Sequence, residues 1–442
     1  MLKKLIKKLI PKAVARLYHL CLTFLGALVF GFPSKKIKVI GVTGTNGKST
    51  TVLMISRILE EAGYKVGSVS SMWFKIGAKE FPNPLHMTMP GRFILQKLMR
   101  QMVKAGCQYA VLEVTSEGIL QSRHKFIKFD VAVLTNLSPE HIERHGSFEK
   151  YREAKGKFFE SVQNTHIINL DDENADYFLN FSSQQKICYG FNALKIEKLK
   201  IDWELEIGNW KFIKADELEA TKTEVAFKIG KTPFGVPLLG GFNAYNALVA
   251  TAVGLSQGVS LEVCQQALAK IDLVAGRMEI IQREPFLAIV DLGHTPVAVE
   301  NVYKTCKAMI EKDKKLIVVF GAAGGGRDKW KRPELGKLAG CYCDIIIVTN
   351  EDPYDENPEK IINDIVRGIA DCDMWLNKNL FKIPNRQEAV NWAIYFAKQG
   401  DIVLFLGKGT EATMVFQGGK KIAWNERKII ESELLKASRN EN

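Results

Sequence analysis

Residues Gly41–Thr50 read GVTGTNGKST, between the strand-like run Ile37–Ile40 and the apolar positions Val52, Leu53, Ile55 and Ile58, which recur at helical spacing. A strand, a glycine-containing loop and a helix start, in that order, aim backbone N–H groups and a helix dipole at a phosphate. They add a lysine for the terminal phosphates and a hydroxyl for Mg²⁺. Gly44, Thr45, Asn46, Gly47, Lys48, Ser49 and Thr50 are therefore predicted to hold a nucleoside triphosphate. The general phosphate-loop pattern asks for a glycine five residues before Gly47, at Val42, whereas this chain has it at Gly41.

Beyond the loop, strand-like and helix-like segments alternate: KVIGV, a helix from Lys48, YKVGSVS, a helix from Arg92, YAVLEVT, VAVLTNL, a helix through EKYREAKGKFFESV, and HIINLDDE. This rhythm predicts an α/β fold with a mostly parallel, doubly wound sheet. Residues 196–239 change character, as in KTEVAFKIG, and predict an antiparallel excursion. The βα rhythm resumes with AIVDLGHTP, LIVVFGAAGGG, IIIVTNEDP and IVLFLGKGTE. The expected organisation is a leader over 1–34, a central P-loop ATP-binding domain over 35–273, and a C-terminal Rossmann-like α/β domain over 274–442.

A chain of 442 residues, 46% of them hydrophobic, has room for two or three cores. Of the formal charge of +12, +9 lies in residues 1–38, which hold no Asp or Glu. The nearly neutral body argues against a groove that tracks nucleic-acid phosphates, so no nucleic-acid partner is expected. The eight cysteines are scattered, and Cys341 and Cys343 are one residue short of a zinc-ribbon pair, which reads as reduced thiols without structural zinc.

In the leader, Leu2, Leu5, Ile6, Leu9 and Ile10 share a face opposite lysines, and about twenty apolar residues follow Pro11. Six cations precede or begin that stretch and three follow it, a bias that would export an ATP-dependent body if the segment crossed a bilayer. The first expectation is contact with the inner face of the cytoplasmic membrane by an interfacial or partly inserted helix. A helix packed on the protein's own body comes second and a true span third.

The string G-x-T-G-T-N-G-K-[ST] resembles the loop of the Mur ligase superfamily. EVTSEGILQSRH, TNLSPEHIERHGSFEKYREAKGKFF, NLDDE, GGFNAYNALVA, AGRMEII, VDLGHTPVAVENV, GGGRDKWKRPELG, EDPYDENP and LGKGTE are similar, in order and spacing, to the signature blocks of UDP-N-acetylmuramoyl-tripeptide synthetases over about residues 37–430. These ligases add the third residue of the peptidoglycan stem peptide. The resemblance implies a cytoplasmic enzyme that phosphorylates a carboxylate with ATP and lets an amino group attack the acyl-phosphate.

It also implies roles. Ser49 and Glu113 would hold one Mg²⁺ and Glu113 and His141 would help hold a second, while Lys155 matches a lysine that the family carbamylates, with Lys157 as its control. Asn243 and Asn246 match adenine-side residues, Arg277 a phosphate-side arginine, and Asp291 and His294 nucleotide contacts from the C-terminal domain. Thr88, Thr115, Gln121 and Arg123 match the muramoyl-peptide side. For the free amino acid, Arg327 matches the α-carboxylate arginine, and Gly407 and Glu411 the ends of a GKGHE block.

EDPY, with Asp352 and Tyr354, occupies the specificity motif, which ends in Arg in diaminopimelate-adding members. A phenol cannot replace a guanidinium at a second carboxylate, so L-lysine is the expected substrate, read by Glu351, Asp352 and Asp355. This chain also departs from the family at Thr410, at Thr115–Gly118 and at Met89. No counterpart of the family's UDP-gripping N-terminal domain precedes the loop, which raises a lipid-linked acceptor as an alternative. A folate- or polymer-directed ligase would lack the VDLGHTP, GRDKWKRP and EDPYDENP blocks together. A non-catalytic scaffold would not need Lys48, Glu113, His141 and Lys155 intact.

Overall fold

The computed structural model describes residues 12–440 except residue 86, residues 193–203 and residue 371. The first eleven residues of the leader lie outside the described residues. Among the described residues, ten strands form the larger sheet: β1 (Lys38–Thr43), β2 (Val66–Val69), β3 (Trp73–Ile76), β4 (Lys79–Pro82), β5 (Tyr109–Glu113), β6 (Val131–Leu134), β7 (Thr165–Asn169), β8 (Gln185–Gly190), β9 (Glu204–Ile207) and β10 (Trp210–Lys214). Their order is β4-β3-β2-β5-β1-β6-β7-β8-β10-β9. All pairs from β2 to β10 are parallel, with antiparallel strands at both edges.

Strand β1 is central because Val39–Thr43 is an unbroken buried run, which only a strand covered on both faces can tolerate. One face is covered by α2 (Lys48–Glu61) and the helix Phe242–Ser256, after α1 (Lys12–Val29) at the start of the chain. The other is covered by α3 (Arg92–Lys104) and, beyond the short α4 (Ser116–Leu120) and α5 (Ile142–His145), by α6 (Phe148–Glu160). The displaced glycine has its reason here. A Cβ at Gly41 would meet Phe158 Cζ at 2.4 Å and Phe129 Cδ1 at 2.9 Å, so Gly41 serves core packing under β1 rather than the phosphate loop.

The antiparallel excursion is present as β11 (Asp216–Ala220), β12 (Val225–Ile229) and β13 (Thr232–Val236). Strand β10 departs from that expectation. It pairs in parallel with β8 and extends the main sheet, since Phe212 and Ile213 are both buried by it. The second sheet is β14 (Glu279–Gln282), β15 (Leu287–Asp291), β16 (Leu316–Phe320), β17 (Ile345–Val348), β18 (Leu380–Lys382) and β19 (Ile402–Leu406), ordered β14-β15-β19-β16-β17-β18 and parallel except at β14. A hairpin of β20 (Thr413–Val415) and β21 (Lys421–Ala423) follows it.

Helix α1 packs on α3 through buried Thr23, Gly26 and Ala27, the second of the three readings of the leader. Among the described residues, no helix is long and apolar enough to cross a membrane.

Candidate active site

Strands β5, β1 and β6 run side by side, and their C-terminal ends supply one wall of a cleft of about 1050 Å³. This is where an open parallel sheet binds ligands. Register places Glu113 opposite Val42, so its carboxylate meets the loop that follows β1. Gly47 caps α2 with φ +80°, and a Cβ there would meet Asn246 Oδ1 at 2.3 Å, so this position requires glycine twice over. The end of β6 holds the loop from the side: Asn136 Oδ1 accepts from Asn46 N at 2.9 Å and Thr135 Oγ1 donates to Asn46 O at 2.7 Å.

Ser49 Oγ donates to Glu113 Oε2 at 2.8 Å, and Lys48 Nζ stands 3.9 Å from Glu113 Oε1. Ser71, which the sequence reading missed, completes this group. Its hydroxyl is 2.7 Å from Ser49 Oγ and its N–H donates to Glu113 Oε2 at 3.0 Å. The available signal was its place just past the end of a parallel strand, β2. Burial lowers the Lys48 ammonium from its ordinary value, against the opposing pull of Glu113.

Lys155, on the buried face of α6, is 1% exposed. Its Nζ donates to Gly44 O at 2.7 Å and Thr43 Oγ1 at 3.3 Å and lies 4.8 Å from the Tyr151 ring centre. Burial, and then the Lys48 charge, hold it well below the ordinary lysine value. Lys157, two residues on, is exposed. His141 is partly buried at the start of α5 with φ +57°, and burial, followed by neighbouring His294, pulls it down to about 2.

The second domain closes the cleft. Thr295 Oγ1 donates to Asn46 Oδ1 at 3.3 Å, and Asp328 accepts from Ile142 N at 3.2 Å and Glu143 N at 2.8 Å. Lys331 and Glu140 form an ion pair at 3.1 Å, each side chain 5% exposed. Neither residue had been singled out, because each is ordinary in its own stretch of sequence. At the end of β15, Asp291 accepts from Met278 N at 2.8 Å and Gly293 N at 2.5 Å, and burial raises its carboxyl despite Arg277. Burial brings His294 down to about 3.

Gly44–Thr50, Thr88, Glu113, Thr115, His141, Lys155, Asn246, Arg277, Asp291, His294, Arg327 and Glu411 all line this one cleft. Asn243, Gln121, Arg123, Asp352, Tyr354 and Gly407 are not among the residues that line it. Asn243 Oδ1 accepts from Asn246 Nδ2 at 3.0 Å, and Gln121 Oε1 from Arg123 Nη2 at 2.8 Å. Thr115 caps α4, accepting from Gly118 N at 3.1 Å.

In the second domain, Lys408 is fully buried. It binds Asp352 Oδ1 at 3.1 Å, Glu411 Oε2 at 2.6 Å and Thr413 O at 2.9 Å. Asp352 also accepts from Val415 N at 2.9 Å. Asp352 is thus committed to Lys408 and the β20 backbone, and Asp355 accepts from Gly418 N at 2.9 Å. Glu351 differs. It is 7% exposed, its Oε2 has no hydrogen-bond partner among the described residues, and burial raises its carboxyl against the opposing pull of Lys408. Tyr354, at φ +53°, stands near Arg327; burial would lower that guanidinium, but Tyr354, Glu351 and Glu411 outweigh it and leave it raised.

Residues 42–254 match the family model described as Mur ligase middle domain, and residues 276–409 the one described as Mur ligase, glutamate ligase domain. The chain is 34% identical over 424 residues to the UDP-N-acetylmuramyl-tripeptide synthetase of Roseiflexus sp. (strain RS-1), covering 91% of this chain and 79% of that one. It is 36% identical over 393 residues to the UDP-N-acetylmuramoyl-L-alanyl-D-glutamate–2,6-diaminopimelate ligase of Aquifex aeolicus (strain VF5), covering 88% and 76%. A solved structure of a ligase with that same diaminopimelate name superposes with a TM-score of 0.59 at 27% identity, covering 91% of this chain and 79% of that one.

Proposed function

The chain belongs to the Mur ligase family of ATP-dependent, ADP-forming ligases of peptidoglycan synthesis, and from that premise we propose that it adds L-lysine as the third stem-peptide residue of a muramoyl-dipeptide acceptor. The γ-phosphoryl of ATP passes to the acceptor carboxylate, giving ADP and an acyl-phosphate. The α-amino group then attacks the acyl carbon, phosphate leaves, and the amine gives up a proton as the amide forms. The reaction belongs to the cytoplasm, where ATP is, and the two catalytic units meet near residues 273–277.

One observation carries the choice of amino acid. Tyr354 stands near Arg327, at the position where a second arginine would be needed for a distal carboxylate, and nearby Glu351 keeps a buried carboxylate oxygen without a hydrogen-bond partner among the described residues. An ammonium would satisfy that oxygen, whereas a distal carboxylate would add a further negative charge beside Glu351, Asp352 and Glu411. Arg327 remains for the α-carboxylate.

The donor set fits magnesium. Ser49 and Glu113 converge as hard oxygen donors, and His141 is held neutral, as a ligand must be. Ser49 and Glu113 would hold one ion, and Glu113 and His141 a second. The ions would offset negative charge on the transferring phosphoryl group. Lys155 supports carbamylation: a buried amine whose protonation is disfavoured can attack CO₂, forming an N–C bond and a carboxylate with loss of one proton. That would exchange a cation for an anion beside the second metal position.

The test is ADP release with UDP-muramoyl-dipeptide and either amino acid, with mass analysis of the product. Lysine incorporated faster supports the reading, and diaminopimelate incorporated faster overturns it.

A further inference from the structure

Helix α1 has two unlike faces. Thr23, Gly26 and Ala27 are buried against α3, where Arg92 bonds His19, and Phe24 meets Phe126 edge-on at 5.2 Å. On the other side Val14, Leu17, Tyr18, Leu25, Leu28 and Val29 are 46–61% exposed. Their spacings of three, four and seven put them on one stripe, and Phe93 and Ile94 at the start of α3, 37% and 39% exposed, add to the apolar surface beside it. Single exposed apolar residues are ordinary; a continuous row is not. Among the described residues nothing covers it.

Charge names the occupant. Lys3, Lys4, Lys7, Lys8, Lys12 and Arg16 precede or open the stripe, Lys35, Lys36 and Lys38 follow it, and residues 1–38 contain no acid. A second copy of the chain would bring like charges together at both ends of the stripe. A surface apolar beneath and negative above matches both properties, and α1 does not qualify as a span. We propose that this face of α1 lies in the headgroup region of an anionic bilayer. Arg92 also reaches Gln121 O at 3.5 Å, so docking there would set the acceptor side of the cleft close to the membrane. The inference rests on the face and its charge, not on which amino acid is added.

The test is co-sedimentation of the full chain with vesicles of phosphatidylcholine, with and without phosphatidylglycerol. Sedimentation is expected only with phosphatidylglycerol and is weakened by salt. The double variant Leu17→Asp/Leu28→Asp, on exposed positions, should lose roughly tenfold or more of that binding while its ligase rate on a soluble acceptor stays within about twofold. No sedimentation at low salt, or equal binding by the double variant, overturns the proposal. A dimer dissolved by the two substitutions, without vesicle binding, would assign the face to a second copy.

Discussion

At the scale of single residues, two lysines two positions apart separate chemistry from charge. Lys155 is buried beneath the phosphate loop and Lys157 is exposed on the same helix. Lys155→Ala should lower the ligase rate about a hundredfold or more, whereas Lys157→Ala should leave it within about twofold, measured as ADP release at saturating ATP. Specificity divides in the same way. Glu351→Gln should raise KM for lysine roughly tenfold to a hundredfold, because one neutral hydrogen bond replaces a charged one, and Tyr354→Arg should shift kcat/KM toward diaminopimelate. If Glu351→Gln leaves the KM for lysine unchanged, the carboxylate does not read the side chain.

Elements decide how these residues meet. The buried pair Glu140–Lys331 ties the start of α5 to the second domain, and removing one partner of such a pair typically costs about 3–5 kcal/mol. Lys331→Met should therefore favour an open cleft, seen as a larger radius of gyration by small-angle scattering and a turnover reduced more than about tenfold. Unchanged scattering would show that closure does not depend on it. The strand-loop-helix of β1 and α2 was legible because its loop chemistry, apolar periods and glycines all point one way. The Glu140–Lys331 pair and the Lys408 hub were not, because side chains far apart in sequence leave no local pattern when they pair. Helix α1 was legible as an apolar helix, but its packed face is set by what α3 offers and could not be read from α1 alone.

For the whole molecule, the α/β architecture followed from the alternation of segments, and most of the cleft followed from motif positions at strand ends. Missing were Ser71, whose role comes from sheet order, and β10, which the alternation assigned to the excursion. Global stability offers a further check. Burial holds His124 and His294 down to about 3 and His141 to about 2, while an unfolded chain protonates them near 6.5. Because the folded values are the lower ones, protons favour the unfolded chain. The stability contribution of each is complete above about 6.5 and is lost as pH falls toward its folded value, at about 1.4 kcal/mol per pH unit. His124 lies outside the cleft and both its ring nitrogens lack partners among the described residues, so His124→Leu should make the fall in denaturation midpoint between pH 6 and pH 4 shallower by about one histidine's share. An unchanged slope would mean that His124 is protonated in the folded protein.

Substrate choice is read most directly by mass analysis of the product when the protein, with Mg²⁺ present, turns over ATP with UDP-muramoyl-dipeptide and an equal mixture of lysine and diaminopimelate. The expected product is a muramoyl-tripeptide carrying lysine, with one ADP formed per amide. A product carrying chiefly diaminopimelate would contradict the reading of Tyr354 and Glu351, and ADP release without any amide would contradict the ligase assignment itself.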